Sequence, residues 1–304
     1  MQTTGPAWFT VASSVKHSDH GDCAGLVLLR WGRTWVREAG PASGPPLLLI
    51  HGATVPHWSF DRLTPYLAAA GYRVICFDLY GHGRSARPET DYTVAFFRQQ
   101  TQELLTALGL RSPLPVLGYS LGAAVAADLC LQNPLIVEKL ILVAPLWNFS
   151  DHSRWSRTIK RPFIGPLVLR HIGIPALRVR RRRRYRAIGL GHLGERFERE
   201  SRGRGFRNAL LSMERNGTLG NQSGRYGELG RLACPRLLLS ARDDRVVPPT
   251  HIDNIRSLIQ PCQAHVFSGL EHNLMLTAPQ RVARAVTAFL QQPTASGEHR
   301  AAQM

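Results

Sequence analysis

A serine at 120, adjacent aspartates at 243 and 244 and a histidine at 272 are the residues of this chain whose types and order could do covalent chemistry. A serine hydroxyl near its ordinary pKa is a poor nucleophile, so it needs a base to accept its proton and a carboxylate to orient and stabilise that base. Ser120 is the centre of Gly118-Tyr119-Ser120-Leu121-Gly122, between the apolar run 114–117 and the alanine-rich stretch 123–131. That setting predicts a strand turning sharply into a helix, with glycines two before and two after the serine because side chains there would collide. Such a turn holds the hydroxyl at the strand tip, with the Leu121 N–H and the positive end of the helix facing a developing oxyanion.

The acid and the base have matching settings. Residues 236–240 read as a buried strand that empties into Ala241-Arg242-Asp243-Asp244-Arg245-Val246-Val247-Pro248. Residues 264–267 read as a short strand leading to Ser268-Gly269-Leu270-Glu271-His272-Asn273, which places both loops at the sheet edge that carries Ser120. Apolar strands alternate with helical segments at 58–70, 94–108, 121–131, 250–258 and 278–290, the last with Ala283, Val286, Ala288 and Leu290 facing the sheet. This alternation predicts an α/β fold, a mostly parallel sheet with helices on both faces. Pro115 is tolerable at the start of its strand, where no ladder N–H is required. With 304 residues and 44% hydrophobic content the chain can bury one large core plus an insertion.

Four motifs in order make the chain resemble the α/β-hydrolases, the superfamily of esterases, lipases and carbon–carbon hydrolases. His51-Gly52-Ala53 after the strand 47–50 is similar to the family's first oxyanion loop, and Asp78-Leu79-Tyr80-Gly81-His82-Gly83-Arg84-Ser85 to its tight loop after the next strand, 73–77. The elbow and the Asp and His loops complete the set; Ala241 stands where the family's acid loop usually has glycine. The resemblance implies Ser120, Asp244 and His272 as the triad, with the N–H groups of Ala53 and Leu121 as the oxyanion hole. Asp244 is favoured over Asp243 because the family's acid lies three residues before Val247-Pro248. The alternative acid position, after the preceding strand, reads Trp147-Asn148, and asparagine cannot stabilise an imidazolium as a carboxylate does. His51 and His82 are expected to hydrogen-bond backbone, His57 to shape the pocket mouth, His265 to sit within a strand, and Asp78 to accept loop N–H groups.

The resemblance also implies a layout: core at 1–146 and 232–292, an arginine-rich helical cap at 147–231, and a flexible tail at 293–304. The expected activity is hydrolysis of a carboxylic ester, of lipid-like or apolar acyl type, through an acyl-enzyme and with no metal or organic cofactor. The rivals are a carbon–carbon bond hydrolase of the meta-cleavage type and a non-catalytic binding protein on a hydrolase fold. Many meta-cleavage enzymes carry tryptophan after the histidine, where this chain has Asn273. Acyl transfer to an alcohol other than water also stays open.

Charge sets the chain apart. It carries 38 basic and 21 acidic residues, net +17, and 20 of the basic against 6 of the acidic lie within 151–231. Arg178, Arg180, Arg181, Arg182, Arg183, Arg184 and Arg186 follow directly on the apolar runs 163–169 and 172–177. An apolar surface beside arginines suits peripheral contact with an anionic membrane, through Arg180 to Arg184. The alternative is that the apolar residues pack down over Ser120 while the arginines form a solvated face; no nucleic-acid fold frames the run, so nucleic acid is not the expected partner. Pro162, Pro166, Pro175, Gly165 and Gly173 predict a mobile lid of short helical pieces. The five cysteines lack any paired spacing, no secretory signal is evident at 1–15, and no apolar stretch reaches membrane-spanning length. A cytoplasmic setting is the expectation.

Overall fold

The computed structural model describes residues 16–17, 22–149 and 154–293; the expected tail from residue 294 onward lies outside the described residues. Among the described residues nine strands form one sheet: Lys16–His17 (β1), Cys23–Leu29 (β2), Gly32–Ala39 (β3), Pro46–Ile50 (β4), Arg73–Phe77 (β5), Leu114–Tyr119 (β6), Val137–Val143 (β7), Arg236–Ala241 (β8) and Gln263–Phe267 (β9). Their order is β1-β2-β3-β5-β4-β6-β7-β8-β9. The β1, β2 and β3 pairings are antiparallel, and every pairing from β5 through β4 to β9 is parallel. The antiparallel edge was not expected, although 23–29 is an unbroken apolar run; Val27 and Leu29 are buried while Leu28 between them is exposed, the alternation of a strand packed on one face.

The helices are Thr64–Ala69 (α1), Val94–Ala107 (α2), Leu121–Gln132 (α3), Arg154–Lys160 (α4), Ile164–Val168 (α5), Ile174–Ala187 (α6), Gly191–Glu200 (α7), Arg204–Arg215 (α8), Ser223–Leu229 (α9), Pro249–Leu258 (α10), Leu274–Thr277 (α11) and Pro279–Leu290 (α12). Alternate residues of β4 serve opposite faces of the sheet. Leu48 and Ile50 enter the core shared with Phe97, Leu104 and Val125 of α2 and α3, while Leu47 and Leu49 enter the core shared with Leu67 of α1 and Val286 of α12. A strand buried on both faces is mostly apolar, which is why the central parallel strands β4 to β8 were the easiest to read.

Three expectations are corrected. The segment 58–70 is not one helix: a 3-10 turn spans His57–Phe60 and α1 starts only at Thr64. Pro65, in the first turn of α1, would lack a donor and clash inside a longer helix, so the helix restarts there. In α12 the buried stripe is Val282, Ala283, Val286 and Phe289, at helical spacing, while Ala288 is exposed. Finally, Pro166 and Pro175 do not break the inserted stretch, since α5 runs into a π-helical turn at Leu169–Gly173 and on into α6, whereas Pro162 does fall at a break, between α4 and α5. Pro166 and Pro175 fall in the first turns of α5 and α6, and the widened turn absorbs the clash Pro175 would cause with the carbonyl four residues before it.

Candidate active site

Ser120 closes β6 and precedes α3 with φ 54° and ψ −114°, a conformation that residues with a side chain rarely adopt. Strain of this kind costs about 1–3 kcal/mol and persists only where the surroundings impose it. Here they do. The Ser120 N–H donates to Val143 O on the next strand, and its carbonyl accepts from Ala123 and Leu146, each at 3.0–3.1 Å. A Cβ on Gly118 would lie 2.3 Å from the Gly122 carbonyl oxygen, so the tight turn needs that glycine for the reason the motif suggests. Gly122 is required by a different neighbour: its Cβ would lie 2.0 Å from Ile50 O, at the end of β4. A Cβ on Gly52 would come within 3.2 Å of the Ser120 Cβ, so the loop carrying Ala53 passes directly beside the serine and the start of α3.

Asp244 and His272 meet. His272 Nδ1 lies 2.7 Å from Asp244 Oδ2, with both residues buried. The other oxygen, Oδ1, accepts the N–H groups of Val246 and Val247 at 2.7 and 2.9 Å, which fixes the carboxylate and leaves Oδ2 for the imidazole. Asp243 is exposed, so the structure separates two carboxylates that differ by one position in sequence. Tyr119, next to Ser120, packs against the His272 ring at 5.1 Å between centroids, and its hydroxyl donates to Asn273 Oδ1 at 3.2 Å. Burial pushes the Tyr119 phenol far above its ordinary pKa, so it stays a neutral donor under the His loop. Nothing in the sequence marked Tyr119 beyond its place inside the elbow.

The remaining histidines do the backbone work expected of two of them. His51 Nδ1 donates to Gly52 O at 2.7 Å and its Nε2 accepts the Leu79 N–H at 2.9 Å, which fixes a neutral tautomer and holds the peptide whose N–H belongs to Ala53. Burial depresses its pKa to about 3, and the neighbouring His82 adds to the shift. The nitrogens of His82 face Tyr80 O and Ala53 O at 3.0 and 2.8 Å, and burial depresses its pKa as well. The two peptides flanking Ala53 are thus clamped from both sides. His265 lies on the exposed part of β9, as its strand position implied.

His57 departs from expectation. It is buried rather than at a pocket mouth, stacked on Trp35, with Nδ1 2.7 Å from Asp78 Oδ1. This second His–carboxylate pair has the geometry of the first but not its chemistry, because His57 Nε2 accepts from Arg196 Nη2 at 3.1 Å and has no lone pair free for a proton. Asp78 accepts the N–H groups of His57 and Arg84 at 3.0 and 2.9 Å, the loop role anticipated for it. Although burial pushes its carboxyl up, the hydrogen bonds from His57 and the Arg84 N–H hold it below the ordinary carboxylate range.

The inserted helices close over these loops. Ile159, Leu169, Ile174, Tyr185, Leu193, Phe197 and Phe206 form one cluster with Val55, Trp58 and Leu276 of the core loops. The arginine run is split by the helical period. Arg181 donates to Thr54 Oγ1 at 2.9 Å and Arg184 pairs with Glu271, beside His272, whereas Arg180, Arg182 and Arg183 are exposed. The signal was present in the sequence: Ile174, Leu177, Arg181, Tyr185 and Ile188 recur at helical spacing, which puts Arg181 on the inward stripe. Ser59, Tyr119, Tyr185 and Asn273 line a small cavity of about 10 Å³, room for one water. A larger cleft of about 350 Å³, between Lys139, Arg236 and Gln260, lies at the opposite end of β7 and β8. Among the described residues no group of three His, Cys, Asp or Glu side chains could hold a metal ion.

The model of the alpha/beta hydrolase family matches residues 47–285. The chain belongs to that family. Lipase 1 of Psychrobacter immobilis is 39% identical over 114 residues, covering 36% of this chain and 35% of the lipase. The chain spans about a third of the length of curated relatives of this kind. A hydrolase from Pseudomonas aeruginosa superposes with a TM-score of 0.72 at 23% identity, over 88% of this chain and 98% of that one. The meta-cleavage product hydrolase from Pseudomonas fluorescens superposes with a TM-score of 0.70 at 21% identity, over 88% and 97%. At such identities the superpositions establish the alpha/beta hydrolase fold and leave the substrate to be argued from the site.

Proposed function

We propose that the protein is a serine hydrolase of carboxylic esters, and the observation that carries this reading is the buried His272–Asp244 pair, 2.7 Å apart, beside an elbow that strains Ser120 to φ 54°. Ser120 Oγ attacks the ester carbonyl carbon while His272 Nε2 takes its proton. Asp244 holds Nδ1–H and stabilises the imidazolium. The carbonyl oxygen becomes an oxyanion that accepts the N–H groups of Ala53 and Leu121, the first oriented by His51. Collapse breaks the bond to the alcohol, which leaves with the proton from His272, and the acyl group stays on Ser120. Water, deprotonated by His272, then attacks the acyl-enzyme, and Ser120 recovers its proton as the acid departs.

An apolar, lipid-like acyl group is the substrate class this reading favours, since the helices over the site contribute Ile174, Tyr185, Leu193 and Phe197 to one apolar cluster with Val55 and Trp58. Residues 147–231 act as its cap. No helix among the described residues is long and apolar enough to cross a membrane, all five cysteines are free, and a cytoplasmic setting fits both. Turnover of p-nitrophenyl esters from acetate to palmitate, beside a meta-cleavage dienoate, tests the proposal. The expected result is ester hydrolysis that rises with acyl length and little dienoate cleavage; dienoate cleavage without ester turnover would make the protein a carbon–carbon hydrolase.

A further inference from the structure

The stretch 154–194 contains twelve arginine or lysine residues and no aspartate or glutamate. Its apolar side chains divide into two sets. Ile159, Leu169, Ile174, Tyr185 and Leu193 are buried against the core loops. Phe163 is 88% exposed, and Leu167, Ile172 and Val179 are 59%, 57% and 52% exposed, with Ile164 beside them. From Ile164 the exposed positions step by three, five and seven residues along the continuous helical run 164–187. Three is about one α-helical turn and seven about two. The step of five crosses the π-helical turn Leu169–Gly173, so it too is one turn, and the exposed apolar positions remain on the outward side. Scattered exposed apolar residues need no explanation, but a ridge of them on one element does.

Exposed arginines flank this ridge, with Arg182 lying towards α7 and Glu198. Arg170, Arg180, Arg182, Arg183 and Arg186 are exposed, in contrast to Arg181 and Arg184, which are engaged with Thr54 and Glu271. We propose that this face docks on an anionic lipid surface: Phe163, Ile164, Leu167 and Ile172 enter the boundary between headgroups and acyl chains, while the outward arginines meet lipid phosphates and other anionic headgroups. Charge decides the occupant. A surface on which exposed arginines outnumber the nearby carboxylate of Glu198, around an apolar ridge, matches a planar array of anionic headgroups over hydrocarbon, and a helix with one greasy and one cationic sector is the form that lies in such an interface. The inference uses neither Ser120 nor His272 and stands apart from the proposed hydrolysis.

The test is co-sedimentation of the full chain with phosphatidylcholine vesicles, with and without phosphatidylglycerol. The wild type and Ser120→Ala should bind the anionic vesicles alike and the neutral ones barely. Replacing Arg180, Arg182, Arg183 and Arg186 with glutamine should weaken binding roughly a hundredfold or more, and raised salt should weaken wild-type binding. Phe163→Asp with Leu167→Asp should abolish binding while leaving short-ester turnover and the unfolding midpoint unchanged, since both side chains are exposed; Arg256→Gln, exposed on α10, should bind as the wild type does. Absence of binding, equal binding to neutral vesicles, or binding that survives the two aspartates would overturn the proposal. A Ser120→Ala variant that binds normally but hydrolyses nothing separates failure of the docking face from failure of the proposed chemistry.

Discussion

Asp243 and Asp244 are chemically identical and adjacent, and what separates them is environment. Asp244 is buried and has both oxygens committed, one to two backbone N–H groups and the other to His272, while Asp243 is exposed. Asp244→Asn replaces an acceptor-only group with an amide that cannot stabilise the imidazolium, so kcat should fall by about 10³–10⁴ with the fold retained. Asp243→Asn should change kcat less than about threefold, as expected of an exposed side chain away from the reacting groups. Steady-state kinetics of both variants check this, and the reverse ranking would reassign the acid. The same separation limits His57. Its carboxylate pairing is as short as that of His272, but Arg196 occupies the nitrogen that a base would need free.

Elements set the precision of the site. The elbow works because β6, α3 and the end of β4 approach more closely than any Cβ would allow, and Gly122→Ala would set a methyl group 2.0 Å from the Ile50 carbonyl oxygen. Backbone cannot yield as a flexible side chain does, so this variant should lose at least about 1–3 kcal/mol, read from chemical denaturation, and lose turnover through displacement of α3. A Gly122→Ala protein as stable and active as the wild type would contradict that account. The parallel strands β4 to β8, the elbow and the loops of the acid and base were legible in the sequence, because strands buried on both faces are mostly apolar and sharp turns need glycine, while β9, largely exposed, was legible only as a short strand before the His loop. The antiparallel β2 and β3 were not: β3 mixes polar and apolar residues, and the apolar run of β2 was not read as a strand. The His57–Asp78–Arg196 network was also out of reach, since it joins residues separated by 21 and 139 positions. The arginine run was legible as a block and misleading as one, because only helical phase tells the inward Arg181 from the outward Arg182.

Across the whole molecule, buried neutral histidines tie stability to pH. His51 has its pKa depressed to about 3 by burial, and His82 is shifted in the same direction. In the unfolded chain both would titrate near 6.5, so below that pH the unfolded state binds protons that the native state refuses. The stabilisation is therefore complete above pH about 6.5 and is lost as pH falls towards 3, at about 1.4 kcal/mol per pH unit for His51 alone. Asp78, with its pKa held below the carboxylate range, adds a loss of the same sign at the acid end. Denaturation at pH 7 and pH 4.5 should show a fall of at least about 2 kcal/mol, and an unchanged unfolding free energy would mean that these histidines are not buried as neutral groups.

The proposed hydrolysis requires Ser120 to be an activated nucleophile. Reaction with a fluorophosphonate probe tests that most directly, since only a serine served by a neighbouring base attacks such a phosphorus centre rapidly. The wild type should be labelled at Ser120, Ser120→Ala should remain unlabelled, and Asp244→Asn should label far more slowly. Labelling that survives Ser120→Ala, or that maps to another serine in the wild type, would contradict the account.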